Sequence, residues 1–391
     1  MSHVISYKQF LRDVLTCSLG AFGGPEAHYG VFIDQMVVKK QYLSEDEMIE
    51  LIALTGVLPG PSSTQTMISI GYKIGGPKLA FLTLLVWAMP AIFIMTALSF
   101  LYQIFDGLSM NVNALRYIGP MAVGFIVVAS YRIAKKVVKD SITILLFLFG
   151  AITTFYIREA WIFPVVLLFG GLVSTFLSKE KDKWHHVKLN PPWIFFVVFL
   201  LVAILGILST SIFAHQLIFI FESFYRYGYL VIGGGEVVIP YMITDLVEVH
   251  GYLTTQEFLT GFGMVQGIPG PMFSFAAYAG GMALRDYTTY MQLASALIAG
   301  IAIFLPGTLL IFFVYPIWQD LKQIKGIKLS IKGISAVAGG LIAITAVIVM
   351  RSSGFYIDNL LVATITILIL LSKKISAPWI VLGVILLGLM I

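Results

Sequence analysis

Charge is what this sequence has least of. Only 12% of its 391 residues are Asp, Glu, Lys or Arg, while 59% are hydrophobic; soluble domains carry about 25% charged residues. So few charges cannot clothe a water-facing surface, and the apolar runs are separated only by short polar loops. The chain therefore reads as an integral membrane protein with no separate soluble domain. Cysteine is nearly absent as well: Cys17 stands alone, so no intrachain disulfide can form, and the residue reads as a small core side chain. No phosphate-cradling loop is present, because Gly71-Tyr-Lys-Ile-Gly-Gly-Pro-Lys78 lacks the Gly-Lys-Ser/Thr ending, which argues against ATP-driven work by this chain alone. His185 and His186 have no Cys or carboxylate at ligand spacing, so no metal and no cofactor is expected. The net charge of +5 is carried by loops and implies no nucleic-acid partner. Lys8, Arg12 and Asp13 precede a short apolar run without a small-residue cleavage site, so no removable signal peptide is expected.

What is present is a helix-breaking Pro-Gly-Pro, set twice into apolar sequence. The first copy is Pro59-Gly60-Pro61, followed by Ser62, Ser63, Thr64 and Gln65; the second is Pro269-Gly270-Pro271, preceded by Gln266 and followed by Met272, Phe273 and Ser274. The copies lie 210 residues apart, and the same offset carries Gly23, Gly24 and Glu26 onto Gly233, Gly234 and Glu236, and Tyr42, Leu43 and Glu47 onto Tyr252, Leu253 and Glu257. Two prolines around a glycine remove backbone donors and leave orphan N–H and C=O groups. In hydrocarbon such groups cost several kcal/mol each unless protein or a watery cavity meets them. Interrupted spans at matching positions of two halves are a pointer to a transporter's substrate site.

Apolar runs of membrane-crossing length fall near 9–31, 48–70, 79–104, 114–134, 141–157, 160–178, 193–212, 214–234, 257–281, 288–316, 332–350, 355–372 and 376–391, which predicts an all-α polytopic fold of about 13 transmembrane helices. With the N-terminus cytoplasmic, the inner loops hold 16 basic residues and the outer loops six, as the positive-inside rule requires, and the C-terminus falls outside. Residues 1–178 then form a first membrane repeat, 179–213 a loop and connecting helix, and 214–391 a second repeat. Equivalent positions are separated by an odd number of crossings, so the expectation is two inverted-topology repeats with broken helices at their interface.

The residues around the breaks suggest their chemistry. A helix restarting after Pro61 would present backbone N–H groups and its positive dipole end beside three hydroxyls and Gln65, which suits an inorganic oxyanion. Pro59, Gly60, Pro61, Ser62, Ser63, Thr64, Gln65, Gln266, Pro269, Gly270, Pro271 and Ser274 are the candidate substrate-binding residues. Gly23, Gly24, Gly233 and Gly234 would either unwind the first span of each half or allow close packing. Glu26 and Glu236, ionisable at membrane depth, are candidates for coupling, and Arg116 for steering anions. Arg12 and Glu222 occupy equivalent positions with opposite charge, which suggests a salt bridge between halves, while Arg226 lies four residues after Glu222 and is its alternative partner.

Phe22-Gly-Gly-Pro-Glu-Ala-His28, the segment Tyr42–Glu47, and Leu58-Pro-Gly-Pro61 with Ile70-Gly71 resemble the first half of the chromate ion transporter family; Gly233–Pro240, Gly251–Phe258 and Gln266–Pro271 resemble its second half. The likeness covers nearly the whole chain, in the family's long two-domain form. It differs in having Tyr42 and Tyr252 where the family has Trp, and Gly56 where a Gln precedes the first Pro-Gly-Pro. The resemblance implies a plasma-membrane secondary transporter of chromate, with efflux and chromate resistance, or of a related tetrahedral oxyanion such as sulfate. Two other readings stand beside it: a passive anion channel, and an intramembrane enzyme built on His28 with Ser62 or Ser63.

Overall fold

The computed structural model describes residues 6–107, 112–157, 159, 161–180, 184, 189–213, 215–231 and 238–390, with backbone alone at 26, 105–107, 112 and 113. Among the described residues every regular element is a helix. In the first half, α1 (Tyr7–Gly20) stops before Gly23 and Gly24, both at positive φ, and α2 (Pro25–Phe32) restarts with Pro25 in its first turn, where a missing N–H costs nothing. It runs on into a wider π turn at Ile33–Lys39. Next come α3 (Glu45–Thr55), α4 (Ser62–Gly107), α5 (Ile118–Val137), α6 (Ser141–Tyr156), α7 (Ile162–Leu177) and α8 (Trp193–Ile212). The second half contains α9 (Gln216–Leu230), α10 (Val238–Ile243), α11 (Thr255–Val265), α12 (Phe275–Ala283), α13 (Thr289–Ala302), α14 (Leu305–Val314), α15 (Trp318–Leu321), α16 (Lys325–Ser353), α17 (Ile357–Ser372) and α18 (Ala377–Met390).

The 210-residue offset reappears in these elements. A π turn recurs at Thr244–Val249, and α3 and α11 start and stop at equivalent residues. Both begin with a reciprocal capping box, Ser44 with Glu47 and Thr254 with Glu257, in which side chain and backbone each satisfy one orphan donor. Both then end just before a Pro-Gly-Pro.

Several predicted spans are divided. The run 48–70 is α3, a break and the start of α4; the run 257–281 is α11, a break and α12; the run 288–316 parts between α13 and α14 next to Pro306. At 1.5 Å per residue, a 43-residue apolar stretch such as Ser62–Ile104 would reach about 65 Å, more than twice a bilayer core. Non-helical backbone at Gly75 and Gly76, followed by Pro77, is what divides it. Besides that stretch, Ile118–Val137, Trp193–Ile212, Thr289–Leu321 and Lys325–Ser353 are long and apolar enough to cross a membrane, and four shorter apolar helices accompany them. Helix α8 buries no residue, and Trp161, Trp193, Tyr356 and Trp379 stand exposed at helix starts. Apolar flanks with aromatic ends are the surface of a multi-pass membrane protein.

The chain separates into two compact units. One comprises Met1–Ser99, Leu189–Tyr229 and Ile268–Gln319; the other Phe100–Lys188, Leu230–Gly267 and Asp320–Ile391. Each draws segments from both sequence halves. In the second unit α16 packs along α5, α6 and α7, with Gly333 against the Gly170 carbonyl and Gly340 against that of Phe147. Such contacts let helix backbones approach closely where lipid offers no hydrophobic drive. In the first unit α12 packs on α13, and α8 on α14 through Trp193 and Phe313, and Phe195 and Phe312.

Candidate functional site

Both Pro-Gly-Pro breaks from Pro59 and from Pro269 onward belong to the first unit, and their backbones repeat. Gly60 has φ 123° and Gly270 φ 110°, values that L side chains rarely adopt. Each also lacks room: a Cβ on Gly60 would lie 2.7 Å from Gln65 Nε2, and one on Gly270 would lie 2.8 Å from Ala91 Cβ. After the first break the Pro61 carbonyl accepts the Gln65 N–H at 2.9 Å and α4 begins at Ser62. After the second, the Pro271 carbonyl accepts the Ser274 N–H at 2.9 Å, a tighter turn of 3₁₀ type covers Met272–Ser274, and α12 follows.

Each break is tied to a helix from the other half of the sequence. Gln65 Nε2 donates to the carbonyls of Pro59 (2.7 Å) and Gly307 (3.3 Å), the latter in the first turn of α14. The Gly270 N–H donates to the Ala21 carbonyl at 2.8 Å, at the end of α1. Gln65 thus spends its donors holding the first break in shape.

The hydroxyls of the first restart are buried and engaged. Ser63 Oγ lies 3.0 Å from His28 Nδ1, and Thr64 Oγ1 accepts from Trp87 Nε1 at 3.1 Å. One turn on, Thr66 Oγ1 meets Thr55 Oγ1 at 2.8 Å, joining α4 to the helix before the break. Trp87 is fully buried; its ring stands edge-on to His28 and Phe32 at 5.5 and 5.2 Å, and its carbonyl accepts from Ser18 Oγ at 2.7 Å. That carbonyl lies 3.9 Å from where a Cβ on Gly270 would sit, so Trp87 adjoins both breaks. Three buried polar atoms of these segments have no partner among the described residues: His28 Nε2, Gln65 Oε1 and Ser274 Oγ. Buried polar groups are normally paired, and an exception asks for water, an ion or a substrate.

The other sequence candidates fall elsewhere. Gly23 and Gly24, both at positive φ, form the break between α1 and α2, and nothing lies within 4 Å of a Cβ on Gly24. The side chain of Glu26, and all of Gly233, Gly234 and Glu236, lie outside the described residues, as do His185 and His186. Gln266 is buried at the end of α11 in the second unit. Arg116 is half-exposed and pairs with Asp358 at 2.6 Å, beneath the face of Tyr117. The expected Arg12–Glu222 bridge is not formed: Glu222 accepts from Arg226 at 2.8 and 3.1 Å along one helix face, and Arg12 is exposed. An i,i+4 pair closes without ordering a second element, which is why it wins. At the start of α3, outside the apolar span, a hydrogen bond from Lys73 and another from the Ser44 N–H hold Glu47 below the usual carboxylate range.

Sequence reasoning passed over Trp87 and gave His28 only to the enzyme reading. His28 did carry a signal, as the last residue of the Gly-Gly-Pro-Glu-Ala-His run beside a predicted break. Trp87 carried none, being one aromatic in a long apolar stretch. In the sequence Asp13 stands out only as N-terminal charge. It is buried, bridged to Lys40 at 3.1 Å and accepting from Tyr42 Oη at 2.7 Å, which accounts for a Tyr hydroxyl at that motif position.

The chain is 28% identical to the chromate transport protein of Cupriavidus metallidurans over 98% of its own length and 92% of the relative's. It is 27% identical to a probable chromate transport protein of Synechococcus elongatus over 96% and 93%. An uncharacterized transporter of Bacillus subtilis aligns over all of its own length but only 44% of this chain, at 25% identity. No solved structure matches. The family profile described as chromate transporter matches twice, over residues 8–175 and 218–389, and by that match this chain belongs to the chromate transporter family.

Proposed function

We propose that this protein is a secondary transporter that carries chromate, or a related tetrahedral dianion such as sulfate, out of the cell across the plasma membrane. The observation that carries the reading is the pair of buried helix starts, one in each half of the sequence, each laced to the other half and flanked by polar atoms without a partner among the described residues. Free N–H groups at a helix start attract an anion without forming an ion pair, so the anion can also leave. Ser62 and Thr64 contribute hydroxyls, Ser63 anchors His28, Ser274 contributes one hydroxyl from the second copy, and the Pro-Gly-Pro backbones shape the site around them. Gln65 fixes that shape.

Access alternates between repeats of opposite topology, 1–178 and 214–391, joined by 179–213, with the N-terminus cytoplasmic and the C-terminus outside. The excess of basic residues in one set of loops supports that orientation. Glu26 and Glu236 are the coupling candidates, and Arg116, near the start of α5, draws anions despite its ion pair. Relatives of nearly the same length are named as chromate transport proteins, which favours transport over catalysis. The test is flux into proteoliposomes with chromate, sulfate and molybdate, with and without a pH gradient. The expected result is saturable chromate flux with counter-transport. Weakly saturating flux without counter-transport would indicate a channel instead, and absence of oxyanion flux would refute the reading.

A further inference from the structure

We propose that His28 contacts the transported oxyanion directly through Nε2–H, with Ser63 and Trp87 fixing the ring's position. The inference rests on the transporter reading above and adds a residue to its site. His28 is 1% exposed and lies on α2, one turn beyond the Gly23–Gly24 break. Its two ring nitrogens have different surroundings: Nδ1 is 3.0 Å from Ser63 Oγ, while Nε2 has no partner among the described residues.

The tautomer follows from Ser63. That hydroxyl is buried, and its one described hydrogen-bond partner is His28 Nδ1. A buried hydroxyl hydrogen needs an acceptor, so the hydroxyl donates to Nδ1 and the ring proton resides on Nε2. The result is a buried N–H donor, held by Trp87 edge-on and by Phe32, on a ring already anchored to the second residue of α4. The same helix start leaves its own first-turn N–H groups unpaired within the helix, and the ring is tied to that start through Ser63. Gln65 Oε1 also has no partner among the described residues, but it is an acceptor and repels an oxyanion. The anion-facing donor is therefore His28, and Gln65 remains the tie between the break and α14. If satisfying Ser63 were the only requirement, a single acceptor in place of Nδ1 would do; a ring whose second nitrogen has no partner among the described residues is explained by a ligand.

The test uses His28→Asn and His28→Gln in the full-length protein. Asn sets an amide where Nδ1 lies and keeps Ser63 satisfied; Gln sets its amide where Nε2 lies. Chromate flux into proteoliposomes is measured against concentration, together with the chromate-dependent shift in thermal unfolding. A hydrogen bond to a charged group carries roughly 10- to 100-fold in affinity, so His28→Asn should raise KM by about that factor with maximal rate little changed, and His28→Gln should stay closer to wild type. Ser63→Ala, which leaves Nε2 in place, should raise KM less than His28→Asn. Wild-type KM in His28→Asn, or a larger loss in His28→Gln than in His28→Asn, would make His28 merely a partner for Ser63 and overturn the proposal. A wild-type protein that moves no oxyanion would instead overturn the transporter reading and this proposal with it, a result distinguishable from flux that the variants leave unchanged.

Discussion

Replacing Gly60 or Gly270 by alanine should destabilise the protein sharply, while the same change at Gly30 should not. At both break glycines φ is positive, 123° and 110°, and holding an L residue in such a region costs about 1–3 kcal/mol. The added methyl group also meets an occupied position. At Gly270 it meets Ala91 Cβ at 2.8 Å, an atom fixed to a helix backbone, so overpacking adds roughly 1–3 kcal/mol. At Gly60 it meets Gln65 Nε2 at 2.7 Å, which can swing away, but only by giving up the bonds to Pro59 and Gly307 at about 1 kcal/mol each. Both substitutions should therefore cost about 2–6 kcal/mol. Gly30 lies in α2 with nothing within 4 Å of a Cβ, and Gly to Ala inside a helix gains roughly 0.5–1 kcal/mol. Thermal unfolding of the three purified variants reads the difference as a lowered midpoint for the first two and an unchanged or raised one for the third. If all three unfold alike, the breaks are not conformationally constrained, and the argument that they are built features fails.

Ser62→Ala, Ser63→Ala and Thr64→Ala combined should weaken chromate transport roughly a hundredfold or more, since the Ser62 and Thr64 hydroxyls each lose a hydrogen bond to an anion worth about 1.5–3 kcal/mol, whereas Ser274→Ala should cost far less; equal losses in the flux assay would count against an asymmetric site. Asp140 accepts from Lys332 and, as the N-cap of α6, from the Thr143 N–H, and these bonds hold its carboxyl down to about 2. Because the folded value is depressed, its contribution is fully present above the ordinary carboxylate range and is lost as pH falls through about 2, so Asp140→Asn should lower the unfolding midpoint at pH 6 and differ progressively less from wild type towards pH 2; a constant gap would assign the effect to the cap alone. With Cys17→Ser as background, Lys136→Cys and Lys328→Cys should both react with impermeant thiol reagents from the cytoplasmic side, and labelling of either from outside would refute the inverted topology.

The sequence alone determined the class and the repeat, because both are written in local composition. Too few charges for a water-facing surface, apolar runs of bilayer length and a gapless 210-residue offset are visible without coordinates. So were the helix breaks, since proline and glycine act on their own backbone. Tertiary structure alone decided which helices share a compact unit. The sequence halves are contiguous, but each unit draws on both, since packing selects faces and not neighbours in the chain. It also decided the partners. Glu222 chose Arg226 four residues away over the symmetric Arg12, Ser63 and Thr64 turned to His28 and Trp87, and Gln65 reached Gly307. Contacts across 23 to 242 residues depend on the angle at which helices cross, and no local pattern in the sequence encodes that angle.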